Sequence, residues 1–228
     1  MKIALIGVGA IGSWLQERLD PKPVVVRRGD ALPMADVVVE VAGHAALAQY
    51  GVAALRQGSD LVIASIGALA DEALWVSLQQ AATRAKILLP AGAVAGIDAL
   101  AAARLGGLDS VRYSSRKPPA SLSNTLPLDR ESVVFEGNAR DAALQFLKNA
   151  NVAATIALAG IGFEKTEVRI IADPTLTQNV HVLEASGAFG TFTMNIAGRP
   201  LPGNPRSSSL TAMSLLRCIQ NRQSSIVL

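Results

Sequence analysis

At 228 residues the chain is long enough to bury a full core, either as one large domain or as two small ones. Half of it is apolar and only 17% charged, which excludes a disordered chain. With 4% aromatic residues its core rests on Ala, Val, Leu and Ile, side chains that suit buried parallel strands and the helices covering them. The net charge of +3 is scattered rather than gathered in a block, which argues against a nucleic-acid partner and points to small acids as ligands.

In chain order, residues 3–6 read as a first strand and 11–19 as the helix after it. Strands follow at 24–27, 37–41, 61–64 and 87–89, with helices near 45–56 and 71–84, the alternation of a parallel sheet with crossover helices. The link RRGDALPMAD between the second and third strands is too short for a crossover helix and is expected as a trimmed loop. Beyond Pro90 the glycines of PAGAVAG lead into the helical run IDALAAARL, and longer alternating strands begin at 110–115, 132–136, 167–172, 179–185 and 189–196. Helices are expected at 139–148 and 151–159. Short turns, ADPT and ASGA, make the last three strands read as an antiparallel meander. From Ser208 the run SLTAMSLLRCIQN has helical spacing. The fold class expected is α/β, a Rossmann-type parallel sheet with a second α+β domain. The first domain covers 1–92, with a C-terminal helix at 208–228 packing back on it, and the second covers 93–207.

Gly7, Gly9 and Gly12 form G-x-G-x-x-G between a strand and a helix, the placement that gives this motif its meaning. Gly7 permits the tight turn, Gly9 lets the backbone approach a pyrophosphate, and Gly12 lets the helix pack close on the strand. The free N–H groups of Ala10 and Ile11 at the helix start face the phosphates. The cofactor implied is NAD or NADP. At the end of the second strand an acidic residue normally holds the ribose hydroxyls, but here the chain reads VVVRRGD. Arg27 and Arg28 suit a 2′-phosphate while Asp30 sits late for NAD, so the choice between cofactors stays open. The loops AGHAAL, SIGALAD and PAGAVAG place Ala42, Gly43, His44, Ser65, Gly67 and Gly92 at further strand ends, outside which ligands of such sheets bind.

The chain holds two histidines. His44 heads a helix, where it caps or touches ribose, and His181 lies in a strand of the second domain, where a lone histidine otherwise serves the core or surface. Asn151 opens a strongly apolar helix and is first of all a cap. PGNPRSSSLTAMS sets Arg206, Ser207 and Ser208 ahead of a helix, either a grip for a substrate carboxylate or a loop followed by a capped helix. There is no His/Cys/carboxylate cluster at metal spacing and no G-x-S-x-G, so neither a metal nor a serine nucleophile is expected. Cys218 is the single cysteine, MKIALIGVGAIG lacks a cleavage site, and no run reads as membrane-spanning; cytoplasm is the expected location.

The strings IGVGAIG, VEVAGHAAL, PAGAVAGIDAL, SRKPP, FEGNARDAALQFLKNANVAAT, ADPTLTQNVH and PGNPRSSSLTAMSLLR together resemble the L-aspartate dehydrogenase family nearly end to end. Relative to that family the chain is shortened after the second strand and again between KPPASL and VVFEG. The resemblance implies reversible oxidative deamination: L-aspartate gives a hydride to NAD(P)⁺, and the iminoaspartate formed is hydrolysed to oxaloacetate and ammonia or used for NAD biosynthesis. It places the active-site histidine on His181, through the string NVH, with an imidazole near its unperturbed pKa of ~6.5 handling protons. It places the cofactor-contacting asparagine on Asn151 and a backbone cofactor contact on Ala93. It also implies that 93–207 is a substrate-binding and dimerisation domain, and a homodimer. The rival readings are another two-lobe oxidoreductase, such as a cyclic-imine reductase or a semialdehyde dehydrogenase, an NAD-using isomerase, and a non-catalytic dinucleotide sensor. The lack of a nucleophilic cysteine near the site speaks against the semialdehyde type.

Overall fold

A computed structural model describes residues 1–122, 129–146 and 151–227, with the side chains of Pro205 and Arg206 outside the description. The end of the helix expected over 139–148 therefore lies partly outside the described residues. The chain divides into two compact units, Met1–Gly92 with Thr211–Leu228, and Ala93–Leu210.

The first unit runs β1 (Ile3–Ile6), α1 (Ala10–Arg18), β2 (Val24–Val26), β3 (Val37–Glu40), α2 (His44–Arg56), β4 (Asp60–Ile63), a 3₁₀ helix at Ile66–Ala70, α3 (Glu72–Ala81) and β5 (Ile87–Leu88). Its five strands are all parallel, in the order β2-β1-β3-β4-β5. Every residue of β1, β3 and β4 is buried, Glu40 and Asp60 included, as expected when helices cover a parallel sheet on both faces. β2 stops at Val26, one residue earlier than the sequence implies, because the Arg27 N–H is taken by the Asp30 carboxylate at 2.8 Å and turns the chain away. From there to β3 the backbone is loop. The order reverses between β1 and β3, and a crevice opens beyond the carboxyl ends of strands at such a switch point.

The second unit runs α4 (Ile97–Gly106), β6 (Leu108–Lys117), α5 (Pro119–Leu122), β7 (Ser132–Asn138), α6 (Ala139–Gln145), α7 (Asn151–Ala159), β8 (Glu167–Ala172), β9 (Asn179–Gly187), β10 (Gly190–Gly198), β11 (Pro200–Leu201) and β12 (Asn204–Ser208), and α8 (Ser209–Gln220) follows. The sheet order is β10-β9-β6-β8-β7, with β6 parallel to β8 and the other pairs antiparallel. This corrects the expected three-strand meander: β9 and β10 form a hairpin, but β6 lies between β8 and β9. Successive strands are usually neighbours, and that habit misleads here. The link after β8 is tied at its start by Asp173, whose Oδ1 accepts the Thr175 N–H at 3.0 Å and hydroxyl at 2.6 Å, and then carries the chain past β6. Arg206, Ser207 and Ser208, expected immediately ahead of a helix, lie on β12, which pairs with β11, and the helix begins at Ser209.

β6 alternates buried Val111, Tyr113, Ser115 and Lys117 with more exposed Arg112, Ser114 and Arg116, so its two faces differ sharply. The buried face meets α4 and α7, where a Cβ at Gly160 would stand 3.3 Å from Leu100 and 3.4 Å from Val111. From α8, Leu215 and Ile219 join Ile3, Leu5, Leu15, Val37, Val39 and Val62 in the core of the first unit. Among the described residues no helix is long and apolar enough to cross a membrane.

Candidate active site

The first site is made mostly of backbone. A cleft of about 520 Å³ at the switch point is lined by Gly7 and Gly9 from the turn after β1, by Arg27 and Arg28 after β2, by Ala42 after β3, and by one side of α2 including Tyr50. The three glycines have separate reasons. Gly7 has φ +112°, and a Cβ there would meet that of Ala42 at 3.0 Å. A Cβ on Gly12 would run into the Gly7 carbonyl. Gly9, the N-cap of α1, is extended, and a Cβ there would meet nothing within 4 Å. Its bare side faces open space, with the helix start behind it carrying the unspent N–H groups of Ala10 and Ile11. This is room and charge for a pyrophosphate, so the residues present fit a dinucleotide.

Asp30 is spent on its own turn, accepting from the Arg27 N–H. The Tyr50 hydroxyl accepts from the Gly29 N–H at 3.2 Å and lies 3.1 Å from the Asp30 carbonyl, fixing the same loop. Arg27 and Arg28 are left as the side chains that this loop presents to the cleft.

Glu40, which the sequence reading passed over, organises the adjoining loops. It is fully buried, yet its carboxylate accepts from the N–H groups of Ala42 and Gly43, both at 2.7 Å, and from the N–H and hydroxyl of Ser65, both at 3.1 Å. Burial raises its pKa, and these bonds oppose the shift. The hydroxyl of Ser65 is thus engaged inside the protein. Gly43, with φ +120°, is the N-cap of α2, and His44 is that helix's first residue. An acidic residue in an otherwise apolar parallel strand, VVVE, was the available signal.

The second site is made of side chains. His181 stands on β9 opposite Ser115 of β6, is 5% exposed, and shares a 2.7 Å hydrogen bond between Nδ1 and the Tyr113 hydroxyl. The two rings are nearly parallel, 11° apart in plane. Burial, reinforced by the charge of Lys117, lowers the His181 pKa to about 4, so the imidazole is neutral at physiological pH. This corrects the expectation of a value near 6.5. Burial also raises the Tyr113 pKa, keeping its hydroxyl protonated, and lowers that of Lys117 to about 8. Tyr113 and Lys117 lie on β6, which ends in the SRK of SRKPP, and their partnership with a histidine 64 or more residues away had no mark in the sequence.

The remaining expected residues are placed as follows. Ala93 is buried, and Asn151 opens α7, its carbonyl accepting the Thr155 hydroxyl at 2.9 Å. The Ser207 hydroxyl accepts from the Asn204 amide at 2.9 Å. Ser208 lines a smaller cavity of about 150 Å³ with Ser121, Thr177, Gln178 and Asn179. The Arg206 side chain lies outside the described residues.

Residues 98–222 match the family model described as aspartate dehydrogenase, C-terminal, and residues 16–90 match that of the homoserine dehydrogenase NAD binding domain. The L-aspartate dehydrogenase of Ralstonia nicotianae is 44% identical over 97% of each chain, and that of Pseudomonas aeruginosa is 41% identical over 99% of each. The crystal structure of aspartate dehydrogenase from Thermotoga maritima superposes with a TM-score of 0.85, at 33% identity, covering 100% of this chain and 99% of the other. A hyperthermophilic archaeal homoserine dehydrogenase in complex with NADPH has a TM-score of 0.56 at 13% identity, a likeness of fold.

Proposed function

Since the chain belongs to the L-aspartate dehydrogenase family, we propose how its residues divide the oxidative deamination of L-aspartate by a nicotinamide dinucleotide. The reaction turns L-aspartate and NAD(P)⁺ into iminoaspartate, NAD(P)H and a proton, and water then converts iminoaspartate into oxaloacetate and ammonia. The bound nicotinamide supplies a hydride acceptor; the protein supplies binding, orientation and proton handling. Gly7, Gly9 and Gly12 with the N–H groups of Ala10 and Ile11 hold the pyrophosphate, Ala42, Gly43, His44 and Ser65 border the rest of the cofactor, and Ala93 and Asn151 contact it. Arg27 accepts a 2′-phosphate, so NADP is used as well as NAD.

The observation that carries the proton chemistry is the buried Tyr113–His181 pair. The α-ammonium of aspartate must lose a proton before its nitrogen can help expel the hydride. An imidazole with a pKa of about 4 is already in its basic form at neutral pH, and in the tautomer whose Nδ1–H donates to the Tyr113 oxygen the lone pair of Nε2 is left to take and return protons. Arg206, Ser207 and Ser208 are assigned to a substrate carboxylate. The enzyme is placed in the cytoplasm, where its single Cys218 stays reduced, and assembles as a homodimer. Light scattering giving twice the monomer mass bears on it directly. The reaction itself is tested by following the absorbance of reduced cofactor with L-aspartate and NAD⁺ or NADP⁺ side by side. Aspartate-dependent reduction of both supports the reading. Binding of cofactor without reduction, across a panel of amino acids, overturns it in favour of a sensor.

A further inference from the structure

Lys117 and Asn179 have no part in the chemistry above, yet both stand at the same end of the second sheet as His181. Strand alternation puts Lys117 on the face that holds Tyr113 and Ser115, and Asn179 on the face that holds His181. Lys117 is 6% exposed, a rare position for an ammonium, and its charge is felt at His181. The Asn179 Oδ1 is buried and, among the described residues, accepts no hydrogen bond. A buried acceptor in that state costs free energy unless something supplies a donor. The same asparagine lines the 150 Å³ cavity with Ser121, Thr177, Gln178 and Ser208, beside Pro118, the residue after Lys117. At ~30 Å³ per water that is the space of about five waters, in the range of a four-carbon acid.

A cation and an unfilled acceptor beside a neutral imidazole match a zwitterionic amino acid with a second carboxylate. We propose that this cluster is the substrate subsite, in which the Lys117 ammonium binds a carboxylate of the dicarboxylic amino acid and the Asn179 Oδ1 accepts from its α-ammonium. The subsite rests on the aspartate dehydrogenase reading and sharpens it, adding two residues to the hydroxyl of Ser208. It also couples binding to chemistry. A carboxylate beside Lys117 offsets the charge that holds down the proton affinity of His181, so the imidazole becomes a better base once substrate is bound.

The test uses the full-length enzyme with NAD⁺ and two probes: succinate, which has both carboxylates but no ammonium, with binding measured by calorimetry, and L-aspartate, with KM measured in turnover. Lys117→Met is expected to weaken succinate binding and raise the aspartate KM by roughly 10- to 100-fold, the worth of a buried charge-assisted bond. Its Tm is measured alongside to show that the variant is folded. Asn179→Ala is expected to raise the aspartate KM about tenfold while leaving succinate binding alone, a split that a purely structural role does not produce. Unchanged succinate binding in folded Lys117→Met overturns the proposal. If that variant does not fold, an unchanged aspartate KM in Asn179→Ala overturns it instead. Failure of the wild type to oxidise aspartate is a separate result that removes the functional reading, and the calorimetry with succinate does not depend on it.

Discussion

The two candidate sites are built from opposite materials. The cleft of the first unit is backbone: bare glycine surface at Gly9, a helix start, and loops tied together by Glu40. The cluster of the second unit is side chain: Tyr113, Lys117 and His181 on two neighbouring strands, all buried. Backbone N–H groups bind a charge that is already present and do not titrate, so the first site serves to hold. Desolvated imidazole and ammonium groups change their proton affinity with every neighbouring charge, so the second site serves to react. Substitutions in the first should therefore move cofactor binding and leave the pH behaviour alone, and substitutions in the second should move the pH behaviour and leave cofactor binding alone.

The largest expected effect is His181→Asn, which should lower kcat by roughly 10²- to 10⁴-fold, the worth of a general acid–base, with cofactor affinity unchanged by fluorescence titration. Near-normal turnover in that variant removes His181 from the mechanism. Next comes stability against pH. The folded pKa of His181, about 4, lies below its unfolded value of 6.5, so its contribution is present above pH 6.5 and is lost as pH falls through 4. At about 1.4 kcal/mol per unit this amounts to roughly 3 kcal/mol. Urea melts from pH 7 to 4 should show that loss in the wild type and a flatter profile in His181→Asn; parallel profiles would mean that the ring is not desolvated.

On the backbone side, Glu40→Gln replaces one acceptor oxygen with an N–H₂ facing the Ser65 N–H. It should cost about 1–3 kcal/mol and raise the cofactor KM without altering the pH profile of kcat. A wild-type Tm and cofactor KM would show that the brace does not matter. Gly9→Ala sharpens the contrast, because the added methyl meets no protein atom within 4 Å and the backbone is already extended. Tm should hold while cofactor affinity drops about tenfold; equal affinity would put the pyrophosphate elsewhere. The smallest effect is expected from Arg27→Ala, a few-fold loss in kcat/KM with NADP⁺ and little change with NAD⁺, since Arg27 is exposed at the cleft edge.

The same difference in material decided what the sequence disclosed. A backbone site needs glycine at fixed spacing between a strand and a helix, all within one short segment, so Gly7, Gly9 and Gly12 were legible. The brace at Glu40 was less so, because two of its four donors come from Ser65, 25 residues further along the chain. His181 stood out through its family string, but neither its neutral state nor its partner did, since both depend on strand β6 lying against β9. Chain order pointed instead to β8 as the neighbour of β9. Lys117 followed the same logic: nothing in SRKPP marks it as buried, and only the alternation of a ten-residue strand buries it.

The chemistry of the second site turns on whether burial has stripped His181 of its proton. Nitrogen-15 NMR of ring-labelled enzyme, titrated from pH 8 to pH 3.5, reads that state at the two ring nitrogens. The imidazole of His181 should remain neutral until the pH approaches about 4. A midpoint near 6.5, the value of a solvated histidine, would contradict the account and return the ring to the protein surface.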